Sequence, residues 1–291
     1  MLSLVLPKGS LERATLDLFD AADLTVRRSS DRDYHASIDD PRIEKVRFLR
    51  PQEIPSYIER GLFDLGITGR DWITETGADV ASLGELHYSK ATSRPIRVVL
   101  AVPQNSPWQS VADLPEGVRI STELPATTGR YLEANGIKAM VIPSHGATEA
   151  KVPDIVDAIV DLTETGSSLR ANKLKIIDTV IESNTQLIVN TSSWKDAEKR
   201  HKLEDLRLLL DGAIAALGKV GLMLNVHKEC LQAVLQVLPA LKRPTISHLS
   251  DEDWLAVNTI LDESTVRDII PRLKQAGAQG IVEYPLNKIV M

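Results

Sequence analysis

Cysteine is almost absent from this sequence of 291 residues, in which Cys230 is the single one. A lone cysteine excludes an intramolecular disulfide and is typical of proteins that work in a reducing compartment. Because Cys230 falls on a predicted amphipathic helix, we expect it to pack in a core rather than to react. None of the six histidines has metal-ligand spacing, so no zinc site is expected.

Aromatic residues are also scarce, at 4% of the chain, which disfavours a stacking surface for single-stranded nucleic acid. The chain has no basic block and a formal net charge of −6, so we expect neither nucleic acid nor an anionic membrane as a partner. It contains no apolar run of membrane-spanning length and no basic-then-apolar leader. These features predict a cytoplasmic protein, in which an anionic substrate would need a locally basic cleft.

What the sequence does contain is an alternation of predicted strands and helices over enough residues for two or three domains. This alternation predicts an α/β fold with parallel sheets covered by helices. Residues 29–44 are polar and expected to be irregular, and Pro51 is expected to open a helix. Further helices are predicted from Glu149 to Ile155 and from about Trp194 to Ala216.

The last part of the chain has a different order of elements. After a boundary near Asp211 and Gly212, the predicted order is strand, helix, strand, strand, helix, strand. This βαββαβ order is the ferredoxin-like pattern, and it is complete within the C-terminal residues.

The stretch from Asp157 to Leu169 carries the strongest chemical pattern. Asp157 and Asp161 are four residues apart on a predicted strand, so their side chains would share one face. A turn of small residues then opens a helix, where backbone N–H groups favour a phosphate: Thr165, Gly166, Ser167 and Ser168. Carboxylates for sugar hydroxyls or Mg²⁺ beside a phosphate nest would suit a phosphoribosyl group. The alternative is a strand with two solvated aspartates followed by an ordinary capped helix.

Several further stretches occur in one order along the chain. They are Pro7-Lys8-Gly9, Phe48-Leu49-Arg50-Pro51, Asp64 to Asp71, His145 to Glu149, Arg243 to Ile246 and Gln275 to Ala278. Taken with the Asp157–Leu169 stretch, they resemble the ATP phosphoribosyltransferase family in its long form, the first enzymes of histidine biosynthesis. The resemblance spans almost the whole chain.

The resemblance implies a fold with two periplasmic-binding-protein-like catalytic lobes and a ferredoxin-like regulatory domain. Lobe I would comprise residues 1–88 and 182–211, lobe II residues 89–181, and the C-terminal domain residues 212–291. ATP and 5-phosphoribosyl-1-diphosphate would meet between the lobes with Mg²⁺, and N1 of adenine would displace diphosphate. Histidine would inhibit a homo-oligomer, from dimer to hexamer.

The resemblance also implies roles for individual residues. The cations proposed for the phosphate chains and the leaving diphosphate are Lys8, Arg50 and Arg70. Gly9 and Gly69 would allow close approach of the ligand, and Asp71 would bind substrate. Asp157 and Asp161 would bind ribose hydroxyls directly or through Mg²⁺, and Thr165 to Ser168 would hold the 5-phosphate. Glu149 would act near the sugar, and histidine would bind near Leu241, Arg243 and Thr245.

Each of these roles has a simpler alternative. An isolated Lys or Arg is by default a partner in a surface salt bridge, and Glu149 could be an ordinary first-turn glutamate of a helix. The chain departs from the family pattern at Ser10, at Glu123–Ala126 and in the spacing from Glu149 to Asp154. Two other functions therefore remain open, a two-lobed binding protein without catalysis and a paralogue that lost the chemistry.

Overall fold

The structure, a computed structural model, describes residues 1–88, 96–238 and 244–290. The strands in chain order are β1 (Leu2–Pro7), β2 (Val26–Arg27), β3 (His35–Ile38), β4 (Ile43–Leu49), β5 (Leu65–Gly69), β6 (Val80–Glu85), β7 (Ile96–Pro103), β8 (Val118–Thr122), β9 (Ala139–Pro143), β10 (Ala158–Thr163), β11 (Leu174–Ser183), β12 (Thr185–Asn190), β13 (Lys219–His227), β14 (Thr245–His248), β15 (Trp254–Asp262) and β16 (Gln279–Pro285).

Helices connect most of these strands. They are α1 (Glu12–Ala21), α2 (Ile54–Glu59), α3 (Arg70–Thr76), α4 (Pro125–Ala134), α5 (Ser167–Ala171), α6 (Thr191–Lys195), α7 (Ala197–Ala216), α8 (Leu231–Val237) and α9 (Glu263–Gln275). Short 3₁₀ turns occur at Val111–Asp113, Thr148–Lys151 and Lys228–Cys230. None of the helices in the described residues has the length and apolar character that crossing a membrane requires.

The chain divides into two compact units. The first contains Met1–Asp17 and Leu24–Arg207, and the second contains Leu18–Asp23 and Leu208–Met291. The predicted boundary near Asp211 lies inside α7, so the division into lobes and a third domain at the expected residues stays a prediction.

The first unit contains a seven-stranded sheet with the order β2-β3-β4-β1-β5-β12-β6. Strands β4, β1 and β5 are parallel, whereas β12 is antiparallel to both β5 and β6. On one face Val5 and Ile188 pack with Ile54 and Ile58 of α2, all fully buried. The chain thus completes this sheet with a strand that follows the whole second sheet.

The second sheet of the first unit has five strands in the order β11-β7-β10-β8-β9. Strand β8 is parallel to β9 and β10, and β7 is antiparallel to β10 and β11. Val98, Leu100 and Val102 of β7 enter one apolar cluster, and the alternate Val99 and Ala101 enter another. Successive strand residues point to opposite faces, so both faces of this sheet are covered, as the continuous apolar sequence of β7 requires.

The second unit contains a four-stranded antiparallel sheet with the order β14-β15-β13-β16. Alternate residues of β13, including Leu222 and Leu224, are buried with Val234 of α8 and with Ile269 and Leu273 of α9. The observed order of elements is βαββαβ. The α/β fold class with a C-terminal ferredoxin-like domain is therefore confirmed.

Several local predictions were wrong. The region 29–44 contains β3 and the start of β4, and α2 begins at Ile54 with Pro55, not Pro51, in its first turn. The helix expected from Glu149 to Ile155 is only the 3₁₀ turn that ends at Lys151. Val152 is extended (ψ 137°) because Pro153 disfavours a helical conformation in the residue before it.

The long helix expected from Trp194 is interrupted. Asp196 is extended (ψ 116°) and ends α6. Its carboxylate then accepts a hydrogen bond from the Lys199 backbone N–H at 3.0 Å. Asp196 therefore divides the predicted helix by capping the first turn of α7.

A buried carboxylate joins the starts of β1 and β5 to the two helices that follow β12. Asp64 accepts hydrogen bonds from the Ser3 N–H at 2.8 Å, the Ser193 hydroxyl at 2.6 Å and the Lys199 Nζ at 2.6 Å. Burial acts to raise the pKa of Asp64, but these donors outweigh it and hold that pKa below its ordinary value. The ionised carboxylate is thus part of the folded structure.

We expect Asp64→Asn to lower the free energy of unfolding by about 2–3 kcal/mol at neutral pH, because it leaves Lys199 without its charge partner. Chemical denaturation followed by circular dichroism measures this loss. The exposed Asp17→Asn, which removes an ion pair with Arg13 on α1, is the control and should change stability by less than about 0.5 kcal/mol.

The stabilisation by Asp64 also predicts a pH dependence. A lowered folded pKa stabilises the native state above the unfolded pKa of about 3.9, and this contribution is lost as the pH falls through the folded pKa. The difference in the free energy of unfolding between wild type and Asp64→Asn should therefore become smaller below about pH 4. A difference that stays constant into that range would contradict this assignment.

Candidate functional site

Polar groups gather at one edge of the five-stranded sheet. Because β8, β9 and β10 are parallel, their carboxyl ends meet at this edge, where ligands bind in open α/β sheets. Ser121 and Thr122 end β8, Ser144 follows β9, and all three are buried. The predicted phosphate loop follows β10, so we call this edge the loop edge.

The loop after β10 is a tight turn built around Gly166. The Gly166 N–H donates to the Thr163 Oγ1 at 2.8 Å, and the Thr165 and Ser167 hydroxyls are hydrogen-bonded at 3.0 Å. Gly166 has φ +74°, and a Cβ there would lie 2.9 Å from the Arg170 Nη1. The left-handed backbone conformation therefore favours glycine here, and a side chain would also displace the flexible end of Arg170. Thr165, Ser167 and Ser168 are exposed around this turn.

Glu149 lies against this loop, because the Ser168 hydroxyl donates a hydrogen bond to its carboxylate. Asp161, half-buried in β10, is close enough to interact electrostatically with the Glu149 carboxylate. Burial, with the charges of Glu149 and Glu123, raises the pKa of Asp161 to about 6, although its bond from the Leu162 N–H and the Lys151 charge act in the opposite direction. Two carboxylates and one cation therefore act on Asp161 at the loop edge.

Asp157 has a different environment from Asp161. Its carboxylate accepts hydrogen bonds from the Arg119 backbone N–H at 2.9 Å, from Nε at 3.1 Å and from Nη2 at 2.7 Å. The Arg119 guanidinium holds the pKa of Asp157 below its ordinary value. Four residues of strand place Asp157 roughly 13 Å from Asp161, toward the amino ends of the strands. The structure does not bring the two carboxylates together, and a ligand role for Asp157 stays a prediction.

The predicted cations lie on the seven-stranded sheet, at the carboxyl ends of β1 and β4 and after β5. Arg50 lies beside Gly9, whose φ is +105° and where a Cβ would be 3.4 Å from the Arg50 Nη1. The Lys8 Nζ forms an ion pair with Glu12 at 2.8 Å. The Arg28 Nη1 also contacts Glu12, at 2.6 Å, so this carboxylate compensates two cations.

Asp71 is buried, at 3% exposure, and not open to solvent. It accepts a hydrogen bond from the Ser183 hydroxyl at 2.6 Å, and burial raises its pKa although that bond opposes the effect. A Cβ on Gly69 would lie 2.0 Å from the Asp71 Oδ1, so Gly69 makes room for this carboxylate. Arg70, between them in sequence, is exposed.

Of the predicted regulatory residues, Thr245 is exposed in β14, while Leu241 and Arg243 lie outside the described residues.

Sequence comparison identifies relatives along the full length of the chain. The profile described as "ATP phosphoribosyltransferase" matches residues 50–212, and the profile "HisG, C-terminal domain" matches residues 216–288. An ATP phosphoribosyltransferase of Solibacter usitatus is 65% identical over 291 residues, covering 100% of both chains. The chain belongs to the ATP phosphoribosyltransferase family. The predicted resemblance is therefore confirmed.

Two further relatives support this assignment. An ATP phosphoribosyltransferase of Chlorobium phaeovibrioides is 53% identical over 290 residues, covering 100% of this chain and 98% of the relative. A solved ATP phosphoribosyl transferase (HisG:HisZ) complex from Thermotoga maritima matches with a TM-score of 0.61 and 29% identity. That alignment covers 72% of this chain and 98% of the other.

A divalent metal, which the family requires, is compatible with the loop edge. Within residues 1–88, 96–238 and 244–290, no three His, Cys, Asp or Glu side chains converge closely enough to bind one metal ion. Mg²⁺ needs fewer protein ligands than that, because it is commonly bound by one or two carboxylates together with substrate phosphates. Asp161, half-buried and surrounded by negative charge, fits that kind of ligand.

Four residues in the surroundings of the candidate site were not predicted from the sequence. They are Lys151, Glu123, Arg119 and Arg28. Their partners are distant in sequence, as with Arg119 and Asp157, which are 38 residues apart. Glu123 and Lys151 did lie in stretches already noted, because Glu123–Ala126 and the spacing from Glu149 to Asp154 depart from the family pattern.

We expect Gly166→Ala to weaken binding of inorganic phosphate, since a side chain there strains a left-handed backbone and contacts Arg170. Gly136→Ala is a matched control, because Gly136 has φ +72° but nothing within 4 Å of a Cβ. Each substitution should cost about 1–2 kcal/mol of stability. Calorimetric titration in the presence of Mg²⁺ should show lost phosphate affinity in Gly166→Ala alone, and equal losses in both variants would contradict the loop assignment.

Proposed function

We propose that this protein transfers the 5-phosphoribosyl group of 5-phosphoribosyl-1-diphosphate to N1 of ATP, as the first step of histidine biosynthesis in the cytoplasm. The products would be N1-(5-phosphoribosyl)-ATP and diphosphate. The observation that carries this proposal is the full-length identity of 65% to an ATP phosphoribosyltransferase. The glycine-centred loop beside Asp161 supports it, because the two offer groups of the right chemistry for a ribose 5-phosphate.

In this proposal the donor occupies the loop edge. Thr165, Gly166, Ser167 and Ser168 would hold the 5-phosphate through hydroxyls and backbone N–H groups. Asp161 would accept hydrogen bonds from the ribose hydroxyls. Glu149 would orient the loop through its bond with Ser168 and lie near the sugar.

Mg²⁺ is the divalent ion that we propose, since carboxylate and phosphate oxygens are its preferred ligands. Asp161 would hold it with the donor's diphosphate. Asp157 could take part only if a ligand replaced its bonds from Arg119. When bound, the ion would neutralise the negative charge that develops on the leaving diphosphate.

The cations of the seven-stranded sheet would bind the phosphate chain of ATP and the leaving group. Arg50 and Arg70 are exposed, and Lys8 is partly compensated by Glu12. Gly9 would let the ligand approach the backbone beside Arg50, and Gly69 with Asp71 would fix the start of α3 below Arg70. A chain of net charge −6 needs such local cations to hold two polyanions together.

The reaction itself needs little acid–base chemistry from the protein. The N1 lone pair of adenine forms the new bond to C1 of the ribose while the C1–O bond breaks, and its electron pair leaves with diphosphate. Because N1 carries no proton, no general base has to remove one before attack. The protein would therefore act by positioning and by stabilising charge, and we assign no catalytic histidine.

We also propose a domain organisation for the chain. Residues 1–88 and 182–211 would form lobe I, residues 89–181 lobe II, and residues 212–291 a regulatory domain. The separate sheets formed by β1–β6 with β12, by β7–β11 and by β13–β16 support this division. Histidine would bind near Leu241, Arg243 and Thr245 in a homo-oligomer of dimer to hexamer size.

The activity is tested by mixing the full chain with ATP, Mg²⁺, 5-phosphoribosyl-1-diphosphate and pyrophosphatase, and following the absorbance of the N1-substituted adenine. Product formation is expected. Binding of both substrates without product under any condition would instead support a non-catalytic paralogue or binding protein.

Asp161→Asn should lower kcat by about 100-fold or more. A neutral amide binds a metal ion and the ribose hydroxyls more weakly than the Asp161 carboxylate does. Glu116→Gln is the control, since Glu116 is an exposed carboxylate paired with Lys138. Near-normal turnover by Asp161→Asn would refute the role of Asp161.

Thr245→Arg should raise the histidine concentration needed for half-inhibition severalfold, because it places a bulky cation in β14. Glu283→Arg changes an exposed residue in β16, at the opposite edge of the same sheet, and should leave inhibition unchanged. Initial rates at increasing histidine concentration measure both. Unaltered inhibition in Thr245→Arg would exclude β14 from the histidine site.

A further inference from the structure

Lys151 stands at the end of the 3₁₀ turn between β9 and β10, and its ammonium group is held by hydroxyls. The Nζ donates to the Ser144 Oγ at 2.5 Å and to the Ser121 Oγ at 3.4 Å. Both serines are buried, and Ser144 is also hydrogen-bonded to the buried Thr148 hydroxyl at 2.8 Å. The position of this cation is therefore fixed from inside the protein.

The charge of Lys151 is not neutralised by an ion pair with any residue that the structure describes, whereas Lys8 contacts Glu12 at 2.8 Å. Neutral hydroxyls orient an ammonium group without cancelling its charge, so Lys151 can still attract an anion. Two of its three N–H groups have acceptors among the described residues. Asp161 interacts with this charge without contacting Lys151 at ion-pair distance, so the ammonium group remains available to an anionic ligand.

The position of Lys151 along the loop edge indicates which anion this is. The sheet order is β10-β8-β9, with the loop and Asp161 on β10, and with Ser121 and Ser144 at the ends of β8 and β9. Neighbouring strands are about 4.8 Å apart, so an extended ligand can reach from the loop across to Lys151. The donor has a phosphate at one end, a ribose in the middle and a diphosphate at the other.

We propose that Lys151 binds the diphosphate end of the donor while the Gly166 loop holds its 5-phosphate. This inference rests on the proposed function and adds a cation on the same sheet as the loop. As the C1–O bond breaks, negative charge grows on the diphosphate, and a fixed ammonium group stabilises that charge more strongly than the charge of the ground state.

Lys151→Gln tests the proposal, because glutamine keeps hydrogen-bonding groups near Ser144 and Ser121 but lacks the charge. The full chain is titrated calorimetrically with diphosphate and, separately, with ribose 5-phosphate, both with Mg²⁺. Diphosphate affinity should fall about 10- to 100-fold in Lys151→Gln and recover in part in Lys151→Arg. Ribose 5-phosphate affinity should change less than about twofold.

Lys138→Gln is the matched control, since Lys138 precedes β9 at the amino end of the sheet and forms an exposed ion pair with Glu116. It should bind both ligands as wild type does. Unchanged diphosphate affinity in Lys151→Gln, or an equal loss for ribose 5-phosphate, would overturn the proposal. Binding is measured without turnover, so this test is independent of the activity assay. If the chain made no product but lost diphosphate affinity in Lys151→Gln, the proposed function would be refuted while the role of Lys151 in diphosphate binding would be supported.

Discussion

The parallel pairing of β8 with β9 and β10 is the constraint on which the candidate donor site depends. Parallel strands end at the same edge, so residues from four separate stretches of the chain meet there: Ser121, Ser144, Lys151 and Asp161. An antiparallel β8 would send its polar end to the opposite edge. The antiparallel β7 contributes to the core instead, because its consecutive buried residues pack into the apolar clusters on both faces of the sheet.

The balance of charge at the loop edge follows from this arrangement. Burial, together with the nearby charges of Glu149 and Glu123, raises the pKa of Asp161 to about 6, and Lys151 is the opposing charge. Such an edge is poorly suited to an anion alone and well suited to an anion that arrives with a divalent cation. The seven-stranded sheet has the complementary character, with Arg50 and Arg70 exposed.

The fold class and the loop could be predicted because their signals are local: strand and helix periodicity, and small residues before a helix. What could not be predicted depends on long-range or single-residue effects. Arg119, 38 residues away, binds Asp157, and a joint ligand role of Asp157 and Asp161 stays a prediction. The helix after Glu149 was too long because the restriction imposed by Pro153 was overlooked, and Lys151 gave no signal because Ser121 and Ser144 reach it only through the fold.

The order in which the first unit is built has a consequence for synthesis on the ribosome. Strand β6 pairs with β12 in the seven-stranded sheet, and β12 also pairs with β5. β6 ends at Glu85 and β12 at Asn190, so about 105 residues must be translated between them, which takes roughly 5–20 s at about 5–20 residues per second. During this interval one edge of β5 and the β12-facing edge of β6 have no strand partner. Early chaperone engagement at this stage would protect the strands from pairing with other chains.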